Sequence, residues 1–235
     1  HLHDDLMISK KTGPTDLVTQ MDQQVQKDLV EKITHRYPED RIFAEENGLR
    51  SPISEGSVWV IDPIDGTNNF VTQKEDFAVM VAYFEDGIGQ FGLIYDVMRD
   101  HLFYGGGEFP VYRNEVELTP FVDQPLENLL IASNVGMLEK NDWGMADLGM
   151  DSLGIRVYGS AGISFSKILS GGILAYFSYI WPWDYAAAAI MGEQLGYTVL
   201  NLNGDKPNYQ SVEPIMMVPK VKLTEIQTYL KKGRS

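Results

Sequence analysis

Asp62 and Asp65 stand three positions apart in the run Val58-Trp59-Val60-Ile61-Asp62-Pro63-Ile64-Asp65-Gly66-Thr67-Asn68-Asn69-Phe70. Carboxylates brought together at one strand end are hard oxygen ligands for a divalent cation. Gly66 and Thr67 follow at what reads as the start of a short helix. Backbone N–H groups there would face the same point and suit an anion. Cation ligands beside an anion cradle are the parts of metal-assisted chemistry on a phosphate. Asp-Pro-x-Asp-Gly is equally ordinary turn chemistry, so the stretch needs companions elsewhere in the chain.

The elements that must position these residues can be read from periodicity. Residues 58–61 are apolar on both faces, as in a buried strand, and are expected to end at Asp62-Pro63 because proline donates nothing to a ladder. Leu17, Met21, Val25, Leu29 and Ile33 recur every four residues, which predicts a helix stopping near Arg36-Tyr37, before Pro38. Gly13-Pro14 marks a turn ahead of it, and Thr19-x-x-Asp22 reads as a capping box. Asp22 shares the apolar face, so either capping or a partner must account for it. Arg41–Ala44 reads as a short strand, followed by Glu45-Glu46-Asn47-Gly48. That is a solvated turn unless Glu45 converges on Asp62.

From Phe77 to Leu118 the pattern is antiparallel strands with tight turns, Glu85-Asp86-Gly87 among them. Gly105-Gly106-Gly107 reads as a turn, because neither Lys-Ser/Thr nor a helix follows to make a phosphate loop. Beyond Pro120 strands and helices alternate. Strands are expected at 129–133, 155–158, 173–179, 197–202 and 215–219, with helices from Gly159-Ser160-Ala161-Gly162 to Leu169, over 185–195, and at the end through Leu230. Asp184 reads as the N-cap of the Ala-rich helix. Trp181 and Trp183 beside it are either a flat surface for a ligand or core.

The 235 residues are 44% hydrophobic and 22% charged, enough for one large domain or two closely packed subdomains. No run approaches a membrane span, and no signal-peptide pattern opens the chain. Cysteine is absent, which rules out thiolate metal sites and suits a reducing cytoplasm. A net charge of −14 argues against a nucleic acid polymer or an anionic membrane as partner. A phosphate bound to so acidic a chain needs its charge neutralised locally, which divalent cations would do.

Four segments together resemble the inositol monophosphatase family of magnesium-dependent, lithium-sensitive phosphatases. They are Asp16-Leu17-Val18-Thr19-x-x-Asp22, Ala44-Glu45-Glu46, Trp59 through Phe70, and Trp183-Asp184-Tyr185-Ala186-Ala187, in family order and near-family spacing. The resemblance implies an α+β fold layered α-β-α-β-α, with an antiparallel N-terminal sheet and a mixed C-terminal sheet. Residues 1–120 would carry most ligands, and residues 121–235 would carry Asp184 and the substrate contacts. It implies two or three Mg2+ ions, held by Glu45, Asp62, the Ile64 carbonyl, Asp65 and Asp184. Thr67 with Asp22 would orient the attacking water, and Glu45 would share in catalysis through water.

Asp65, Gly66, Thr67, Ser160, Ala161 and Asp184 would meet the substrate. A phosphate monoester of a small polyol is implied, inositol monophosphate first, processed by a homodimer. Where inositol-selective members carry a glutamate this chain has Ser178, and the loop to Asp184 is one residue shorter. That departure keeps a nucleotide 3′- or 2′-phosphate, NADP and fructose bisphosphate open as substrates. A non-catalytic, metal- or partner-binding member of the fold is the remaining alternative.

Overall fold

A computed structural model describes residues 8–10 and 17–233. The expected Gly13-Pro14 turn, Asp16 and the Thr19 side chain lie outside the described residues. The chain opens with strands β1 (Ile8–Lys10) and β2 (Leu17–Thr19), then helix α1 (Gln20–Arg36), β3 (Arg41–Ala44), β4 (Ser57–Asp65) and α2 (Thr67–Thr72). A run of strands follows: β5 (Ala78–Glu85), β6 (Ile88–Asp96), β7 (His101–Gly106), β8 (Phe109–Arg113) and β9 (Val116–Glu117). The second half holds β10 (Leu130–Ser133), α3 (Val135–Glu139), α4 (Met145–Asp151), β11 (Gly154–Arg156), α5 (Ala161–Leu169), β12 (Ala175–Ile180) and α6 (Pro182–Gln194). It closes with β13 (Tyr197–Asn201), β14 (Glu213–Pro219) and α7 (Leu223–Lys232).

Strands β3 to β9 form a seven-stranded sheet in sequence order, antiparallel except for the parallel β3–β4 pair. The five-stranded sheet runs β11-β10-β12-β14-β13 and is mixed, with β10 parallel to both neighbours and β14 antiparallel to both of its own. Helix α1 covers one face of the larger sheet, α5 and α6 fill the space between the sheets, and α4 and α7 cover the far face of the smaller one. The result is the expected α-β-α-β-α layering. Strand β12 shows why it holds together. Tyr176 points into the middle layer, while Ala175 and Phe177 point into the outer one, the period-two alternation of a strand buried on both faces. Helix α6 can lie across the larger sheet because Gly92 and Gly106 leave room there; a Cβ at either would collide with the backbone of Ala187 or Ile190.

Several local expectations need correction. Leu17–Thr19 is a strand paired with Ile8–Lys10 rather than the first turn of the helix, and α1 starts at Gln20, directly after Thr19, where the capping-box pattern puts it. Non-local pairing overrides the spacing-of-four pattern there. Strand β4 does not stop at Asp62-Pro63 but runs to Asp65, and its register with β5 shifts between Asp62 and Asp65. That irregularity absorbs the N–H that proline lacks. Gly105 and Gly106 belong to β7 rather than to a turn. Helix α6 begins at Pro182, which puts Asp184 at the third helical position instead of the N-cap. Helices α3 and α4, unassigned from sequence, are too short for a clear period.

Candidate active site

The β4 irregularity turns consecutive acids toward one point. Asp62, Asp65 and Asp184 offer carboxylate oxygens all within 4.8 Å of one another. Asp62 is 1% exposed and Asp65 7%. Glu45 flanks Asp62 closely enough to share a hydrogen bond with it, and the Ile64 carbonyl faces the Thr67 hydroxyl at 3.1 Å. Three of the expected ligands, Asp62, Asp65 and Asp184, therefore gather where β4 meets α6, with Glu45 beside Asp62, while the Ile64 carbonyl is engaged by Thr67.

Burial and mutual repulsion push these acids the same way. Burial raises the Asp62 carboxyl well above the usual carboxylate range, and the charges of Glu45, Asp65 and Asp184 add to it. Asp184 is also raised well above that range, first by burial, then by Asp65 and Glu45; the Trp181 N–H, 2.6 Å from its Oδ2, works against the rise. Asp65 is raised by burial but less so, because α5 holds it. Its Oδ1 accepts from the Ala161 N–H at 3.0 Å, and its Oδ2 accepts from the Gly162 N–H at 2.7 Å and the Ser160 hydroxyl. A negative side chain at that helix N-terminus satisfies otherwise orphaned donors. Asp62 Oδ1 is buried and has no hydrogen-bond partner among the described residues. An orphaned carboxylate oxygen amid three other acids fits a hard divalent cation, and magnesium prefers this donor set of carboxylates and a carbonyl.

Beside the acids, Thr67 opens α2, and its hydroxyl lies 3.1 Å from the Asp22 carboxylate. Asp22 is fully buried, which supplies the partner its apolar stripe demanded. Gly66 ahead of it sits at φ 89°, where a Cβ would press on Ser160 Cβ at 3.0 Å and the Asp76 carbonyl at 3.2 Å. Only glycine makes that turn freely. Asn69 then ties α2 to the far half, donating to the carbonyls of Asp76 at 2.9 Å and Tyr158 at 2.7 Å.

Two contributors escaped the sequence reading. Gln26 is 1% exposed and embraces Glu46, donating to its carbonyl and accepting from its N–H at 2.8 Å each. Its signal was its place four residues after Asp22, a second polar side chain on the buried face of α1. Arg50 is the other. Gln26→Leu is expected to lose both bonds and destabilise the fold by about 1–3 kcal/mol per deprived group. Thermal unfolding checks it, and an unchanged Tm refutes the clamp. Ser178, the position that departs from the family pattern, is 4% exposed and accepts from Asn134 at 3.1 Å. Of the two tryptophans, Trp183 is core at 5% exposure. Trp181 stacks on it at 4.7 Å and remains 37% exposed beside Asp184.

A layered α+β fold with clustered acids, a threonine–aspartate pair and a helix start at one junction is the architecture of a class of phosphatases. The chain belongs to the inositol monophosphatase family, whose sequence pattern matches residues 1–233, and it is a phosphoric monoester hydrolase. It is 37% identical over 210 residues to an inositol-1-monophosphatase of Bacillus subtilis (strain 168), covering 87% of this chain and 79% of that one. It also superposes on an IMPase/NADP phosphatase solved with Mg2+ and phosphate, with a TM-score of 0.88 and 25% identity over 96% of this chain and 86% of that chain. The structure of 2′AMP-bound SaIMPase-II gives 0.83 and 30%, covering 90% and 83%. Among the described residues no helix is long and apolar enough to cross a membrane.

Proposed function

We propose that this phosphatase hydrolyses the phosphate monoester of a small polyol, inositol monophosphate first, with two or three Mg2+ ions held by Glu45, Asp62, the Ile64 carbonyl, Asp65 and Asp184. The observation that carries the reading is the triad of acids, Asp62 and Asp65 buried and Asp184 half-buried, with the orphaned Asp62 Oδ1, set beside Thr67–Asp22. When bound, Mg2+ supplies Lewis acidity, neutralising phosphate charge and lowering the pKa of water.

The chain's own groups do the rest. Asp22 accepts the Thr67 hydroxyl proton in a hydrogen bond, which leaves a Thr67 lone pair to accept from the attacking water and fix its direction. Glu45 borders the same water. The Gly66 and Thr67 N–H groups take the phosphate oxygens at the start of α2. Asp65, Ser160, Ala161 and Asp184 line the side where the alcohol leaves. Sensitivity to lithium, a cytoplasmic setting and a homodimer belong to the same proposal, on the family resemblance and the cysteine-free composition.

A nucleoside 2′- or 3′-phosphate is the second reading, favoured by the exposed Trp181 ring at the rim of the site. A solved relative binds 2′AMP, and Ser178 offers no carboxylate to grip polyol hydroxyls. Phosphate release from inositol, nucleoside and sugar phosphates, with and without Mg2+, decides between them. Under the second reading, Trp181→Ala lowers kcat/KM for 2′AMP by about tenfold, the worth of a lost base–aromatic stack. Inositol monophosphate turnover would stay unchanged. No turnover of any substrate by the unmodified protein sinks both readings.

A further inference from the structure

Glu45 and Asp184 come from opposite halves of the chain, and something must hold one against the other. The Glu45 loop is closed from one side by Gln26 through Glu46. Its other side is closed by Arg50. The guanidinium donates to three backbone carbonyls of that loop: Leu49 at 2.9 Å, Glu45 at 3.3 Å, and Ala44 at shorter range. Phe43 and Arg50 also face each other across an antiparallel bridge, and the Ala44 N–H reaches the Leu49 carbonyl at 2.9 Å. The loop is thus a small ring drawn around one cation.

The same guanidinium is a bridge to the far half. Its carbon lies 4.6 Å from the Trp183 ring centroid, 5.6 Å from Phe43 and 5.9 Å from Trp181. Phe43 and Trp183 also meet directly, with centroids 5.6 Å apart. Trp183 precedes Asp184, and the Trp181 N–H holds the Asp184 carboxylate at 2.6 Å. One planar cation therefore touches the backbone of one acid and the aromatic stack that carries the other. Burial lowers the Arg50 pKa while the charges of Glu45 and Glu46 hold it up. Even so lowered, a guanidinium keeps its charge in proteins.

We propose that Arg50 is the positioning residue of the metal site. By clamping the Ala44–Leu49 carbonyls and stacking on Trp183, it fixes the distance between Glu45 and the Asp62–Asp184 cluster. It touches neither substrate nor ion. Lysine cannot replace it, because a single ammonium cannot fork to several carbonyls and lie flat on an indole. This rests on the metal reading above, and the test separates the two.

Mg2+ binding is followed by titration calorimetry and by the Mg2+-induced rise in Tm, for the unmodified protein, Arg50→Ala and Arg50→Lys. Kinetics are followed at saturating Mg2+. Mg2+ affinity is expected to fall about tenfold in both variants, the usual worth of a residue that orients ligands from behind. The substrate KM at saturating Mg2+ is expected to stay within about twofold of the unmodified value, a pattern general loosening of the fold would not give. Circular dichroism of the metal-free variants identifies any that unfold, and Arg50→Lys then carries the test. Unmodified affinity in a folded Arg50→Ala overturns the proposal, as does full rescue by lysine. Failure of the unmodified protein to bind Mg2+ overturns the metal reading itself.

Discussion

Asp62→Asn is expected to abolish phosphate release and, at the same time, to raise the melting temperature of the metal-free protein. Both follow from one atom set. Asp62 sits at 1% exposure between Glu45, Asp65 and Asp184, so it is the carboxylate best placed to share a cation. Removing its charge forfeits several kcal/mol of charge stabilisation, a rate loss of roughly a thousandfold or more. Without a cation the same charge is a liability, since a buried carboxylate is opposed by the charges of Glu45, Asp65 and Asp184 around it. An amide keeps the shape, and its N–H groups can donate to the neighbouring carboxylates. The metal-free fold should gain about 1–3 kcal/mol, roughly 3–10 °C in a chain of this size.

The pH dependence gives the sign independently. In the unfolded chain Asp62 and Asp184 lose protons near 3.8, while in the folded chain they keep them to higher pH. Above that value the native state binds more protons than the unfolded one. The stability these two groups contribute without metal is therefore fullest below about pH 4 and is lost as pH rises through their folded-state pKa values. Asp62→Asn should flatten that decline, and saturating Mg2+, which binds the charged form, should remove it. Scanning calorimetry from pH 4 to 9, with and without Mg2+, reads all of this. A metal-free Asp62→Asn that melts lower than the unmodified protein, or one that still turns over, contradicts the assignment.

Much of this site was legible because its parts are local in sequence. Asp62, Ile64, Asp65, Gly66 and Thr67 fall within one strand-to-helix junction, where each residue type reports its own geometry. The layered fold was legible for a similar reason, since strand and helix periods are local. What escaped depends on distant backbone. Leu17–Thr19 becomes a strand only by pairing with Ile8–Lys10, and β4 crosses Pro63 only because its register with β5 slips there. Helix α6 starts early because the Asp184 carboxylate accepts from the Trp181 N–H, one half of a capping box. Gln26, betrayed only by its place on the buried face of α1, and Arg50, with no signal at all, escaped for a different reason. Each acts on backbone atoms of the Glu45 loop, and no motif of residue types encodes a contact with a carbonyl.

Thr67→Val should leave the site assembled and nearly inert. Valine matches the shape of threonine but lacks the hydroxyl that lies 3.1 Å from both Asp22 and the Ile64 carbonyl. Water in the site would then keep its acidity and lose its orientation, and kcat should fall by about 10²–10⁴. Mg2+ affinity should change little, because Thr67 is not among the oxygen ligands. Thr67→Ser, which restores the hydroxyl, should recover most of the rate.

Asp22→Asn tests the same pair from the other side. An amide can donate to Thr67 Oγ1 where the carboxylate could only accept, which would take up the lone pair the water needs and free the hydroxyl proton from its acceptor, at a cost comparable to losing the hydroxyl. If the two residues act as one unit, the double variant should be no slower than the worse single one. Steady-state kinetics beside Mg2+ titration distinguish the outcomes. Additive losses would mean that Asp22 serves the fold rather than the water. A fall in Mg2+ affinity equal to the fall in kcat would move Thr67 from the water to the metal shell.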